Sequence, residues 1–196
     1  METESPDSLV DVGFLMGSRA VMALSGGMDS TSLLLRLLRD GHDVTCVSYE
    51  YGQKHSIEIE RAKENIQRLQ SMGMEVSHKI IDLSSAMGTF HSALTNHNYK
   101  VPEGHYEEIQ MKQTVVPNRN AIFSSILYGM ALSISQSEDI EVIVALGVHS
   151  GDHAIYPDCR PEFYKALSDA FSIGNWESER VTFELPYITG DKSTIL

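Results

Sequence analysis

VMALSGGMDSTSLLLRLLRDG, Val21 to Gly41, is the stretch on which the fold turns. The apolar run Val21–Leu24 stops at Ser25-Gly26-Gly27. Asp29-Ser30-Thr31 follows, and then Leu33, Leu34, Leu37 and Leu38 recur at helical spacing. The change of period reads as a buried strand, a tight turn and a helix over Ser30–Arg39, stopped by Asp40-Gly41. The first N–H groups of a helix have no partner within it and carry partial positive charge, so they attract anions. Gly26 and Gly27 lack a Cβ, which lets a ligand come close to the backbone. Ser25, Ser30 and Thr31 add hydroxyl donors. The set suits phosphate oxygens. It is not a Walker A loop, which ends in Gly-Lys-Ser/Thr; Asp29 stands near the place of that lysine. The dinucleotide fingerprint fails for want of a third glycine. A plain turn capped by Ser and Asp satisfies the same residues, and the turn by itself leaves both readings open.

Outward from this turn the chain alternates. Val44–Tyr49 reads as a second strand. Ile57 to Met72 places Ile59, Ala62, Ile66 and Leu69 on one helical face and stops at Gly73. Glu75–Ile81, Glu141–Leu146 and Val181–Leu185 read as further strands. Asn118 is placed to cap a helix through AIFSSILYGMALSIS, and Arg160–Phe171 reads as a helix with Phe163, Leu167 and Phe171 on one face. Asp191 is placed to cap a last helix. Strands alternating with helices predict an α/β fold: a doubly wound parallel sheet covered on both faces. Ligands bind such sheets beyond the carboxyl ends of the strands, where strand order reverses. One polar stretch, Ser84–Val116, breaks the rhythm and reads as a long functional loop.

Composition sets outer bounds. With 196 residues, 42% apolar and 21% charged, the chain reads as one ordinary soluble domain over 19–196. No apolar run approaches the roughly 20 residues that span a bilayer. Residues 1–18 hold Glu2, Glu4, Asp7 and Asp11 with no Lys or Arg, unlike a secretory or mitochondrial leader. They read as an acidic tail, and the expected location is the cytoplasm. Two cysteines, Cys46 and Cys159, do not make a disulfide scaffold. A net charge of −12 argues against broad nucleic-acid binding, which relies on basic surface.

SGGMDS, Ser25–Ser30, resembles the pyrophosphate loop of the ATP pyrophosphatase superfamily, whose members release pyrophosphate from ATP while adenylating a substrate oxygen. Four further stretches narrow the resemblance: YGQKHSIEIERAK (Tyr51–Lys63), VPNRNAIFSS (Val116–Ser125), GDHAIYPDCRPEF (Gly151–Phe163) and DKSTIL (Asp191–Leu196). In this order, from about Val21 onward, they are similar to the 7-cyano-7-deazaguanine synthase (QueC/ExsB) family. The resemblance implies the adenine nucleotide alpha hydrolase-like fold. It also implies ATP-dependent conversion of 7-carboxy-7-deazaguanine and ammonia to the 7-cyano product, by way of an adenylated carboxylate, an amide and its dehydration. ATP and Mg²⁺ are the implied cofactors, with no direct nucleic-acid or membrane partner and room for a homodimer.

On this resemblance the loop residues Leu24, Ser25, Gly26, Gly27, Met28, Asp29, Ser30 and Thr31 would hold the nucleotide, with Asp29 a candidate partner for Mg²⁺. Asp29, Lys54, Arg119 and Lys192 are the candidate catalytic groups, the cations answering charge on phosphate oxygens. Tyr51, Gln53, Asn120, Asp152, Tyr156, Asp158 and Arg160 are candidates for substrate contact, since a guanine-like edge needs carboxylate acceptors and an aromatic neighbour. Each has a plainer reading. Lys54 suits a surface ion pair. Arg119 and Arg160 fall where first helical turns are expected, a place that disfavours cations. Asp158 suits a helix cap with Pro161 in the first turn, and Cys159 suits packing.

Family members continue past DK into a cysteine cluster that binds one structural zinc. The present sequence is read as lacking that module or truncated before it, so the zinc ligands typical of the family are absent from it. His149, Asp152 and His153 with Cys159 are a poor substitute, being too closely spaced. Three rivals share parts of the pattern. One is a variant that stops at the amide or joins the activated acid to another amine. Another is a tRNA-thiolating enzyme, which calls for a basic RNA-binding module and a redox cysteine pair that the sequence does not show. The last is a non-catalytic nucleotide-binding homologue.

Overall fold

Five of the apolar runs become the five strands of one sheet, and all four neighbouring pairs run parallel. The structure is a computed structural model that describes residues 18–52, 57–90, 115–149, 151, 156–190 and 195. Its elements are β1 (Arg19–Ala23), α1 (Met28–Arg39), β2 (Asp43–Glu50), α2 (Ile57–Ser71), β3 (Val76–Asp82), a single turn α3 (Ser84–Met87), α4 (Arg119–Glu138), β4 (Val142–Ala145), α5 (Pro161–Gly174) and β5 (Val181–Glu184). Short 3₁₀ turns at Pro157–Cys159 and Ser178–Arg180 precede α5 and β5.

Strand order is β3-β2-β1-β4-β5, so β1 is central and the winding direction reverses between β1 and β4. Successive side chains of a strand point to opposite faces. Ala20 and Met22 therefore join a core with Leu33, Leu34 and Leu37 of α1 and Ala62, Ile66 and Leu69 of α2. Val21 joins the opposite core with Leu127, Tyr128 and Ala131 of α4 and Tyr164 of α5. This is the doubly wound arrangement that the alternating pattern predicts. β4 is buried at all four positions because helices cover both its faces.

One expectation and two plainer readings need correction. Asn118 does sit at the amino end of α4, but in the left-handed region (φ 59) and with no side-chain cap; its carbonyl accepts the Ile122 N–H at 3.1 Å. Asp158 is not the cap of α5. Arg160 holds that position in extended backbone, and Pro161 is the first helical residue. Arg160 therefore escapes the first turn, whereas Arg119 is the first residue of α4. The inner face of α5 is led by buried Tyr164, with Phe163 and Phe171 only partly covered. The polar stretch Ser84–Val116 has built ends: Met87 closes α3 in the core, and Val116 is buried as well. Its middle, 91–114, lies outside the described residues, as do the tail 1–17 and the cap expected at Asp191.

Candidate active site

At the carboxyl ends of β1 and β4, where the winding reverses, lies a cavity of about 300 Å³. The size is that of small-ligand sites. One wall is the glycine turn, through Leu24, Ser25, Asp29 and Ser30. The opposite wall is Arg119, Asn120, Phe123, Cys159 and Tyr164, and Tyr49, Tyr51 and Glu58 close a side.

The turn is braced from within. Ser25 N–H donates to Ser30 Oγ (3.2 Å), Ser30 Oγ donates to the Gly27 carbonyl (3.3 Å), and Gly27 N–H donates to Ser25 Oγ (3.3 Å). The Leu24 carbonyl accepts from buried Ser48 Oγ at 2.6 Å. Ser48 Oγ in turn lies 2.8 Å from His78 Nε2 of β3. The two glycines do different work. Gly26 has φ +75, and a Cβ there would stand 2.6 Å from both Ala62 N and Glu58 O, so its bareness serves the packing of α2. A Cβ on Gly27 would meet only Ser25 Oγ, at 3.3 Å, so the space on that side is open, although neither glycine is on the cavity lining. Thr31 turns its hydroxyl to Asn65 Nδ2 (3.1 Å), and Met28 is exposed; neither is on the cavity wall.

Asp29 lies in the first turn of α1 and on the cavity wall. Its Oδ2 is 3.5 Å from His149 Nε2, and its Oδ1 is buried without a hydrogen-bond partner among the described residues. Across the cavity, burial pulls the Arg119 guanidinium down. The facing Tyr51 hydroxyl, then Asp158 and Cys159, hold its pKa above the ordinary value. Burial raises the Tyr51 phenol, with Arg119 opposing. Arg119 therefore stays a permanent cation on the cavity lining. Asn120 ties this wall together. Its N–H donates to Asp158 Oδ2 (3.4 Å), and its Nδ2 donates to the Asp158 carbonyl (3.2 Å) and to Cys159 Sγ (3.4 Å).

Of the residues singled out in the sequence, Leu24, Ser25, Asp29, Ser30, Tyr51, Arg119 and Asn120 meet on the cavity. Asp158, Arg160 and Tyr156 stand behind or beside it rather than on its lining, with Asp158 held by Asn120. Gln53, Lys54, Asp152, His153 and Lys192 lie outside the described residues. The sequence reading missed Ser48, Tyr49, Glu58, Phe123 and Tyr164. Tyr49 and Phe123 stack at 4.0 Å with their planes 9° apart, and Tyr49 Oη donates to the Phe123 carbonyl at 3.0 Å. In a strand and a helix such aromatics read as core; only the topology brings both to the strand ends. Cys159 is buried as expected, yet it lines the cavity as well as packing.

The chain matches the family described as "Queuosine biosynthesis protein QueC" over residues 19–196. It belongs to the QueC family. It is 42% identical to the 7-cyano-7-deazaguanine synthase of Pseudoalteromonas translucida, over 92% of this chain and 78% of that one. It is 44% identical to the protein of the same name from Alteromonas mediterranea, again over 92% and 78%. A solved structure described as a predicted subunit of tRNA methyltransferase from Methanocaldococcus jannaschii aligns with a TM-score of 0.54 at 14% identity. It covers 91% of this chain and 72% of that one. At that identity the likeness concerns the fold alone. The QueC match spans both walls of the cavity. Among the described residues, no helix of this QueC-family chain is long and apolar enough to cross a membrane.

Proposed function

We propose that the protein converts 7-carboxy-7-deazaguanine, ammonia and ATP into 7-cyano-7-deazaguanine. The observation that carries the reading is one cavity with the SGGMDS turn on one wall and Arg119-Asn120 on the other. Membership of a family whose relatives are named for the 7-cyano product supports the nitrile over an amide or a conjugate.

A carboxylate is a poor electrophile because oxide would have to leave. Attack of its oxygen on the α-phosphorus of ATP breaks the bond to pyrophosphate and gives the acid a stable leaving group. Ammonia then adds to the acyl carbon, AMP leaves, and the amide forms with loss of a proton. The amide oxygen is adenylated in turn by a second ATP. Loss of AMP and of the nitrogen-bound protons leaves the nitrile. The chain's part is electrostatic. The start of α1, Gly27 and Ser25 receive the pyrophosphate. Arg119, whose charge is secured by Tyr51 and Asp158, answers charge that builds on phosphate oxygens. The aromatic pair Tyr49–Phe123 gives the cavity a flat apolar side suited to a fused ring. Lys54 and Lys192 are proposed to supply further cations, Arg160 to face the substrate carboxylate, and Gln53, Asp152, Tyr156 and Asp158 to read the deazaguanine edge.

Mg²⁺ fits this site. Asp29 offers a carboxylate with an unpartnered oxygen beside the turn, and this ion needs few protein ligands when phosphates supply the rest. When bound, it would neutralise phosphate charge there. Among the described residues no three His, Cys, Asp or Glu side chains gather as a metal site. Incubating the protein with 7-carboxy-7-deazaguanine, ammonium, ATP and Mg²⁺ and weighing the products by mass spectrometry is the test. Nitrile with two AMP per product is expected; amide as the end point, or no turnover, would refute the reading.

A further inference from the structure

We infer that His149 is a positioning residue for Asp29, setting the carboxylate that meets the cation accompanying the nucleotide. The inference rests on reading the cavity as an ATP-phosphate site.

His149 follows β4 and is 3% exposed. Its Nδ1 accepts the Gly151 N–H at 3.1 Å. An accepting Nδ1 carries no proton, so the neutral ring holds its proton on Nε2. That atom faces Asp29 Oδ2 at 3.5 Å. Gly151 lies against the ring, and Gly147 lies against the backbone of Asp29. A Cβ on Gly151 would stand 3.0 Å from His149 Cε1 and Nδ1, so a side chain there would crowd the ring. A Cβ on Gly147 would stand 3.2 Å from the carbonyl carbon and oxygen of Asp29. Asp29 is thus met twice, at its backbone by Gly147 and at its side chain by His149. With Nε2–H facing Oδ2, the carboxylate is turned so that Oδ1, which has no partner among the described residues, is the oxygen left for a cation. Partners of this outer kind fix ligand orientation, and their loss commonly costs about 10–100-fold in metal affinity.

The test uses Mn²⁺ as a spectroscopic probe. Mn²⁺ is titrated by electron paramagnetic resonance into the full chain with an α,β-methylene analogue of ATP. His149→Met keeps volume without a donor, and His149→Gln restores an N–H at similar reach. His149→Met is expected to weaken nucleotide-dependent Mn²⁺ binding at least about 10-fold. It should lower kcat, and leave KM for the deazaguanine and the melting temperature near the unaltered values. His149→Gln should recover most of the loss, and in an Asp29→Asn background His149→Met should add nothing. Unchanged Mn²⁺ affinity in His149→Met overturns the inference. So does an equal loss in Met and Gln with a lowered melting temperature, or additivity with Asp29→Asn. If the unaltered protein binds nucleotide and Mn²⁺ with the expected His149 dependence but makes no nitrile, the substrate reading fails and the inference stands. If it binds neither, both fail.

Discussion

At the scale of single residues, adjacent glycines meet different surroundings. Gly26 has φ +75 and touches the α2 backbone, so Gly26→Ala strains the backbone by about 1–2 kcal/mol before any overlap is relieved. Its urea midpoint should fall clearly. Gly27 is in extended backbone with only a hydroxyl nearby, so Gly27→Val should melt close to the unaltered protein. On the proposed function its branched side chain would stand where phosphate approaches, and calorimetry should show ATP affinity reduced at least about 10-fold, or 1.4 kcal/mol. Unchanged ATP affinity in Gly27→Val would remove the turn from the site. The sequence reading gave both glycines the same role. It had no access to Gly26's distance from Ala62, because that contact joins two elements. That Leu24, Ser25, Asp29 and Ser30 stand together on the cavity was legible, because their placement follows from the strand–turn–helix geometry of one local stretch.

At the scale of elements, the 3₁₀ turn Pro157–Cys159 and the start of α4 form one unit through Asn120. Asp158→Asn should lower kcat by on the order of 10²-fold while far-ultraviolet circular dichroism stays unchanged. A helix cap would leave Asp158→Asn silent, since Asn caps as well as Asp; the structure puts Arg160 at that position. Near-normal turnover in Asp158→Asn would withdraw it from the site. The β2–β3 pair carries a second expectation. Burial, and then Lys63, hold the His78 pKa below its ordinary value of 6.5. The unfolded chain therefore binds the proton more readily than the folded one. Stability is full above pH 6.5 and declines as pH falls below it, levelling off once the folded imidazole is also protonated. Urea melts at pH 7.5 and 5.5 should show that loss in the unaltered protein and a smaller one in His78→Gln. Element types were legible from period and breakers. Asn118 was read as a side-chain cap because it suits one by residue type, and its left-handed backbone makes no such bond; the cap was only the plainer reading of Asp158, and its bond to Asn120 sets that reading aside.

At the scale of the whole molecule, the alternation of strands and helices was enough for the sheet, and the glycine turn after the first strand was enough for the address of the candidate site. The far wall was not legible, because Tyr49, Phe123 and Tyr164 come from β2, α4 and α5 and meet only in the assembled fold. The central position of β1 also bears on how the molecule is made. β1 finds β2 almost at once, since α1 alone separates them, but its other edge waits for β4. Even the ion pair of Arg19 with Glu138, just before β4, spans 119 residues. Contacts so distant along the chain slow folding, because loop closure precedes any reward. Until β4 arrives, the newly made half exposes an apolar strand edge of Val21 and Met22 that any other unfinished chain can pair with. Slow synthesis between α2 and β4 should therefore be where this protein most needs a chaperone.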